Sequence, residues 1–298
     1  MRDLILFWEN HRGESLALAT LVRAQGSSYR RPGARMLIRA SGESVGSVSA
    51  GCIEEEVVAA AQEVLRCEKA KLLSFDTRRR FGCSGSIEIF VEPVANQLLP
   101  ELRARFRARQ SCQIATLFEN CAILGSRIVD GFVEESAFVQ TIEPGLRLVV
   151  IGDGPDATAL RSQAMALGWE VIVLEAVSQF LEVPDARTAV VVATHNFGRD
   201  CAALRFFLPL SLRYVGLIGP RRRRDEILID ILDSGAELTS QFFAPAGLNL
   251  GADSAEEIAL SILAEIQAVF SGETPAHLRD RKSPIHRPVP MAWTGSAR

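Results

Sequence analysis

Apolar and polar residues follow two different patterns along the chain, and the change between them falls near residue 143. Before it, short apolar stretches alternate with turns. This pattern predicts strands over 16–22, 36–38, 45–48, 71–75 and 87–92, helices over 3–12, 53–69 and 96–109, and short strands between 112 and 138. After it, the apolar runs are continuous, as in strands buried on both faces, and they cover 146–151, 169–175, 188–194 and 214–219.

The change of pattern predicts an α/β protein with two domains. We expect an N-terminal mixed α+β domain over residues 1–143 and a C-terminal Rossmann-like domain with a parallel sheet over residues 146–270. The segment Glu143-Pro144-Gly145 marks the boundary between them. Residues 271–298, rich in Pro, Ser and Arg, are expected to form a mobile tail.

Composition and charge mainly exclude classes of partner. The chain has 298 residues, 48% of them hydrophobic, and a net charge of −3, so we expect neither nucleic acid nor a membrane surface as a partner. No apolar run is long enough to span a bilayer, and the N-terminus lacks the apolar core of a signal peptide, which favours a cytoplasmic location. The four histidines lack zinc-ligand spacing and the six cysteines form no CxxC pair, so we expect thiols and no metal site.

Two cysteines lie in Gly/Ser-containing turns beside predicted strands. Cys52 precedes an acidic helical segment, and a thiol at a helix N-terminus has a lowered pKa because the helix dipole and unpaired N–H groups favour its anion. A small buried residue in a tight turn is the alternative interpretation. Cys83 lies in a second Gly-Cys turn before the strand 87–92. The other four cysteines lie in periodic or apolar segments and are expected to be structural.

The turn after the first strand of the second domain has the pattern G-x-G-x-x-A. Gly152 and Gly154 would allow the backbone to approach a pyrophosphate, and Glu175, 23 residues after Gly152, would bind ribose hydroxyls. Two residues of the turn oppose this interpretation. Pro155 removes an amide donor, and Asp156 adds negative charge beside the phosphate position.

Further candidates follow later strands of the same domain. His195 comes directly after the predicted strand 188–194, and ligands bind at the carboxyl ends of strands in open α/β sheets. A polar loop residue is the alternative. Arginines 221–224 begin a helix at the same sheet edge, where they either bind phosphate or are solvated.

Seven sequence blocks, in order, resemble the XdhC/CoxI family, accessory factors for molybdenum-containing hydroxylases such as xanthine dehydrogenase. The blocks are residues 26–36, 46–54, 82–93, 149–154, 193–196, 214–223 and 244–252. The first two are similar to the family patterns G-S-x-x-R-x-x-G-A-x-M and G-S-V-S-G-G-C-V-E. Ala50 and Ser84 replace family glycines, Asp153 and Pro155 replace other residues, and Asn196 replaces an acid.

The resemblance implies a non-catalytic factor that binds molybdenum cofactor (molybdopterin), receives sulfur from a cysteine desulfurase and delivers the sulfurated cofactor to an apo molybdenum hydroxylase. We also expect a homodimer. Cys52 and Cys83 would take part in sulfur relay or cofactor contact. The expected cofactor-binding residues are Arg30, Arg35, Gly51, Gly152, Gly154, Glu175, His195, Arg222 and Arg223. A nucleotide at the Rossmann turn is a further candidate ligand.

Two functions of other classes compete with this interpretation. The first is an NAD(P)-binding Rossmann oxidoreductase, although the chain lacks a Tyr/Lys pair suited to hydride chemistry, having only Tyr29 and Tyr214 as tyrosines. The second is a redox-sensing or scaffold protein whose cysteines respond to oxidation.

Overall fold

A computed structural model of the chain describes residues 1–26, 28–49, 51, 53–76, 85–95, 97–119, 123–131, 137–233, 235 and 238–282. They belong to two compact units, Met1–Pro144 and a second unit that starts at Gly145. Cys52 and Cys83 lie outside the described residues. Within the described ranges, no helix combines the length and the apolar composition needed to cross a membrane.

The first unit is a mixed α+β structure with two antiparallel sheets. Its helices are α1 (Arg2–Asn10), α2 (Glu54–Cys67) and α3 (Leu98–Arg107). Its strands are β1 (Leu16–Gly26), β2 (Arg35–Arg39), β3 (Ser44–Gly46), β4 (Lys71–Asp76), β5 (Gly85–Pro93), β6 (Cys112–Leu117), β7 (Gly125–Val129) and β8 (Phe138–Ile142). One sheet has the order β3-β2-β1-β5-β4, and the other has the order β7-β6-β8.

The alternation of side chains along β1 places a core on each face of the larger sheet. Ala17, Ala19 and Leu21 belong to a cluster with buried residues of α2, including Val57. Leu18, on the opposite face, belongs to a cluster with residues of α1, α3 and β6. The larger sheet therefore has α2 on one face and the smaller sheet with two helices on the other.

The second unit is a doubly wound parallel sheet. Its strands are β9 (Arg147–Ile151), β10 (Glu170–Leu174), β11 (Thr188–Val192), β12 (Val215–Leu217) and β13 (Phe242–Phe243). Its helices are α4 (Pro155–Ala166), α5 (Phe197–Phe207), α6 (Arg221–Asp233) and α7 (Ala255–Ser271). The strand order is β10-β9-β11-β12-β13, and every pair is parallel. The predicted fold class is confirmed by this architecture.

Helix α7 shows how local sequence fixes an element boundary. Ser254 accepts a hydrogen bond from the backbone N–H of Glu257, and the Glu257 carboxylate accepts from the N–H of Ser254, as in a capping box. Ile262 and Ile266, spaced by four residues, are fully buried in the core of the unit.

Some elements differ from those the sequence predicts. The predicted strand 45–48 ends at Gly46, although Val48 is still buried. Cys112 and Cys201 are buried, but Cys67 is exposed at the end of α2, because it lies beyond the last core residue of that helix, Val64. Cys121 lies outside the described residues. In the predicted tail, the described part contains a short 3-10 turn at Leu278–Asp280.

Candidate functional sites

The turn before α2 contains Cys52 in the sequence, and the Glu54 carboxylate binds the described residues on both sides of it. Oε1 of Glu54 accepts hydrogen bonds from the backbone N–H of Ser49 at 3.0 Å and from the hydroxyl of Ser47 at 3.1 Å. Oε2 accepts from the hydroxyl of Ser49 at 2.6 Å and from the backbone N–H of Ile53 at 3.3 Å. One carboxylate therefore fixes the turn before and after Cys52.

The charge of this carboxylate changes the expected electrostatics of the turn. Burial alone would raise the pKa of Glu54, but hydrogen bonds from Ser49, Ile53 and Ser47 lower its pKa below the ordinary value. Helix α2 starts at Glu54 itself. Some of the donors expected to stabilise a thiolate therefore serve this carboxylate.

Gly51 lies in the same turn and is exposed. Its φ of +103° belongs to the left-handed region, which L side chains rarely adopt. A Cβ at this position would meet no atom within 4 Å, so the backbone conformation, and not crowding, requires glycine.

A cleft of about 520 Å³ in the first unit borders the start of this turn. Its lining includes Arg30, Arg35, Gly46, Ser47 and the acidic residue Asp3. Two predicted cofactor-binding arginines thus share one cleft with the residues that lead into the Cys52 turn.

The two arginines of the cleft differ in accessibility. Arg30 is exposed, and its guanidinium lies 5.8 Å from the ring centroid of Tyr29, which is 68% exposed. Arg35 is only 5% exposed; its Nη1 donates to the carbonyl of Gly33 at 3.2 Å and to the side chain of Gln140. Its Nε and Nη2 have no hydrogen-bond partner among the described residues. Burial lowers the pKa of Arg35 to about 10, so the guanidinium is charged at neutral pH.

A buried polar layer continues from Arg35 into the interior of the unit. On β1, Thr20 pairs with Arg35 and lies between Leu18 and Val22, which belong to two different apolar clusters. Glu92, 2% exposed, shares this layer through its charge interaction with Arg35.

The Glu92 carboxyl is held by one residue of the smaller sheet. It accepts hydrogen bonds from the backbone N–H of Ser126 at 2.7 Å and from its hydroxyl at 2.5 Å. Burial raises the pKa of Glu92 to about 7, while the hydrogen bonds from Ser126 and the charge of Arg35 act in the opposite direction. The interior of the unit therefore contains an acid that titrates near neutral pH.

In the second unit, the glycine turn and His195 meet at the carboxyl edge of the sheet. Strands β9 and β11 pair in parallel, so the ends of the two strands adjoin, as the sequence predicts. Gly152 has a φ of +146°, and a Cβ there would collide with the carbonyl of Ala193. Nε2 of His195 lies 3.0 Å from Oδ2 of Asp156, the second residue of α4.

The predicted phosphate ligands of α6 are already paired with acids. Arg223 donates to Oδ2 of Asp200 at 2.5 Å, and Asp200 is fully buried and also accepts the hydroxyl of Thr194 at 2.5 Å. Arg222, with a side chain that is 90% exposed, donates to Glu226 at 2.9 Å.

The remaining predicted residues occupy the same sheet edge. Gly154 is the N-cap of α4 in an extended conformation. Glu175 follows β10 with an exposed side chain, and its backbone carbonyl accepts a hydrogen bond from Arg199.

Tyr214 is fully buried and donates a hydrogen bond to Glu265 at 2.7 Å. Burial is the main reason why the pKa of Tyr214 is raised well above the usual value. Within the described residues, no group of three or more His, Cys, Asp or Glu side chains could hold a metal ion.

Sequence reasoning misses two residues that organise these sites. The sequence presents Glu54 as one of three helix-starting acids, and only the Ser-x-Ser pattern before it hints at hydrogen bonds back to the turn. Glu92 alternates with apolar residues in the predicted strand 87–92 and shares a face with Glu88, so the local pattern gives no signal of its burial.

Comparison with known proteins gives relatives over most of the chain. The chain is 28% identical over 320 residues to a Bacillus subtilis protein described as a probable subunit of xanthine dehydrogenase, covering 85% of this chain and 92% of the relative. It is 27% identical over 275 residues to the molybdenum cofactor insertion chaperone PaoD of Escherichia coli, covering 86% and 84%.

The fold is also found in a solved structure. A crystal structure described as a xanthine dehydrogenase from Bacillus halodurans superposes with a TM-score of 0.77 at 24% identity, covering 94% of this chain and 98% of that chain. This likeness bears on the fold alone.

Two family models match the chain, one in each unit. The model described as "XdhC and CoxI family" matches residues 10–76, and the model described as "XdhC Rossmann domain" matches residues 148–266. The first match contains the Cys52 turn and both arginines of the cleft, and the second contains the glycine turn and His195. The chain belongs to the XdhC/CoxI family.

Proposed function

We propose that this chain binds molybdenum cofactor and acts as a maturation chaperone that assists cofactor sulfuration and insertion into a xanthine dehydrogenase-type enzyme. Family membership supports this proposal, as do the names of the two relatives, a molybdenum cofactor insertion chaperone and a probable subunit of xanthine dehydrogenase. In this proposal the cofactor is cargo and the chain is an accessory factor, not the enzyme.

The cleft in the first unit is the observation that carries the proposal. Molybdopterin carries a phosphate, and arginine is well suited to bind phosphate through several N–H groups. Arg30 is accessible at the wall of the cleft, and Arg35 adds a buried positive charge with two nitrogen atoms that lack a partner among the described residues. Gly46 and Ser47 connect the same cleft to the turn of Cys52.

The thiols supply the chemistry that the proposal needs. A thiolate of Cys52 or Cys83 would attack the outer sulfur of a persulfide on a cysteine desulfurase. The S–S bond of that persulfide breaks, the desulfurase thiolate leaves, and the attacking cysteine becomes the new persulfide. Direct contact with the cofactor is the alternative role of these residues.

The proposal includes partners and a location. An apo molybdenum hydroxylase would receive the cofactor, a cysteine desulfurase would supply sulfur, and the chaperone would work as a cytoplasmic homodimer.

In the second unit, Glu175 and His195 have exposed side chains at the sheet edge, which suits contact with a ligand. Arg223 suits it less, because Asp200 already accepts its hydrogen bond.

The test is retention of molybdopterin by the purified full-length chain. Wild-type protein and the variants Cys52→Ala, Cys83→Ala and Cys67→Ala are mixed with molybdopterin and separated from free pterin. Cys67→Ala is the matched control because Cys67 is an exposed thiol away from the predicted turns. We expect retention by wild type and control. In at least one of the other two variants we expect loss of retention or, when a cysteine desulfurase and cysteine are added, loss of the persulfide on the chain.

An outcome against the proposal is equally clear. Absence of pterin retention together with tight NAD binding would favour an oxidoreductase that uses the second unit. The burial of Tyr214, which is bound to Glu265, makes that function the weaker candidate because the phenol is not available to a substrate.

A further inference from the structure

The second unit has the strand arrangement that creates a ligand crevice in doubly wound sheets. In such sheets, ligands bind outside the carboxyl ends of the strands, at the point where the strand order reverses. Here β10 lies on one side of β9, and β11, β12 and β13 follow on the other side. The reversal therefore falls between β9 and β11, the strands that lead to the glycine turn and to His195.

A side-chain hydrogen bond crosses this crevice. Asp156 belongs to the helix that follows β9, and His195 comes three residues after the end of β11. The 3.0 Å contact between Oδ2 of Asp156 and Nε2 of His195 thus joins the two sides of the strand reversal. The Asp156 side chain is 15% exposed and that of His195 is 54% exposed, so the carboxylate lies inside and the imidazole covers it.

The residues of the turn do not suit a dinucleotide diphosphate. Such a ligand is held by backbone N–H groups in the first helical turn and by the positive end of the helix dipole. In α4 the first residue is Pro155, which has no N–H, and the second is Asp156, whose carboxylate is already at the helix N-terminus. A diphosphate there would face a fixed negative charge.

The two predicted phosphate ligands at this edge already have acidic partners. Arg223 is paired with the buried Asp200, and Arg222 is paired with Glu226 on the outer face of α6. Glu175 is present after β10, where the dinucleotide fingerprint has its ribose-binding acid. The unit thus retains the fold and the ribose-binding position of a dinucleotide domain, but the described residues of the turn do not form a phosphate subsite.

We propose that the glycine turn of this domain does not hold the diphosphate of a dinucleotide, and that Asp156, fixed by His195, is the residue that excludes it. The bridge between the two side chains spans the crevice where the pyrophosphate would bind. This inference concerns the second unit alone and is independent of cofactor binding in the first.

The experiment measures NAD⁺ and ADP binding to the full-length chain by calorimetry at neutral pH. Wild type is compared with Asp156→Ala, Asp156→Asn and Asp153→Ala. Asp153→Ala is the matched control, since it removes an exposed acid from the same turn without touching the bridge. Asp156→Asn removes the charge but leaves an oxygen that can bind His195, so it also serves if Asp156→Ala folds poorly.

We expect no saturable binding of either nucleotide to wild type or to Asp153→Ala at millimolar concentration. At least one Asp156 variant should show saturable ADP binding, at least about tenfold tighter than the limit set by wild type, because the like charge is removed. Micromolar binding of NAD⁺ to wild type would overturn the proposal. Folded Asp156 variants that bind no better than Asp153→Ala would overturn it as well.

Discussion

Glu54 accepts hydrogen bonds from both the backbone N–H of Ser49, at 3.0 Å, and the hydroxyl of the same residue, at 2.6 Å. The same carboxylate also binds Ile53, so it closes the turn that contains Cys52 in the sequence. A glutamate that begins a helix is usually explained by the helix dipole alone. Here it also determines the path of the preceding chain.

Replacing Glu54 should therefore destabilise the first unit. Glu54→Ala removes the acceptor of four hydrogen bonds, and we expect the free energy of unfolding to fall by about 1–3 kcal/mol in urea denaturation. Glu55→Ala is the control because it removes an exposed acid from the same helical turn. It should change stability by no more than about 0.5 kcal/mol. Equal effects of the two substitutions would show that the carboxylate acts through the dipole only.

Glu92 should make stability depend on pH. Its pKa is raised from 4.5 in the unfolded chain to about 7 in the fold, so folding favours the protonated form. Its contribution to stability is fully present below pH 4.5 and is lost as the pH rises to about 7. Relative to Glu92→Gln, wild type should lose on the order of 3 kcal/mol across this window.

The pH prediction is checked by urea unfolding of both proteins between pH 5 and pH 8. The control is Glu88→Gln, a change on the same strand at a residue paired with Arg23. The stability of this variant should show the same pH dependence as that of wild type through this range. A constant difference between wild type and Glu92→Gln across the window would contradict a buried carboxyl that titrates near neutral pH.

Truncation of Arg223 should lower the free energy of unfolding much more than truncation of Arg222. Arg223→Ala leaves the fully buried Asp200 without its cation, which we expect to cost about 3–5 kcal/mol of unfolding free energy. Arg222→Ala removes an exposed side chain and should cost about 0.5 kcal/mol or less. Thermal unfolding of the two variants provides the measurement, and similar stabilities would mean that the Arg223–Asp200 pair is not a structural element of the domain.

The sequence predicts the parts of the fold that depend on local pattern. Continuous apolar runs indicate the buried parallel strands, and the spacing of Ser254 and Glu257 is the one that the capping box of α7 requires. The pairing of β9 with β11, which brings His195 to the glycine turn, follows from the general topology of such sheets.

The partners of charged side chains could not be predicted in the same way. The sequence predicts Arg35 as a cofactor ligand, but it does not indicate that the side chain also binds Gln140 on another sheet, 105 residues away in sequence. It places Arg223 toward solvent or phosphate, but the helix register turns this side chain toward Asp200. Such contacts depend on how distant elements pack, and the local pattern of a single sequence does not contain that information.

The acidic residue of the cleft, Asp3, gives a further prediction about anion binding. Asp3 contributes negative charge to the same cleft as Arg30. Asp3→Asn should therefore tighten the binding of inorganic phosphate, used as a probe, about two- to fivefold, whereas Arg30→Ala should weaken it. Titration followed by NMR chemical shifts of the backbone amides near Ser47 measures both effects. Shifts that are the same in all three proteins would exclude anion binding in this cleft.

The most direct test of the central claim is the affinity of the purified chain for molybdopterin, compared between Arg30→Ala and Arg31→Ala. Both residues are exposed arginines of one loop, but only Arg30 lines the cleft. We predict saturable binding to wild type and to Arg31→Ala, and affinity about tenfold weaker for Arg30→Ala. Absence of molybdopterin binding to the folded wild-type chain would contradict the account.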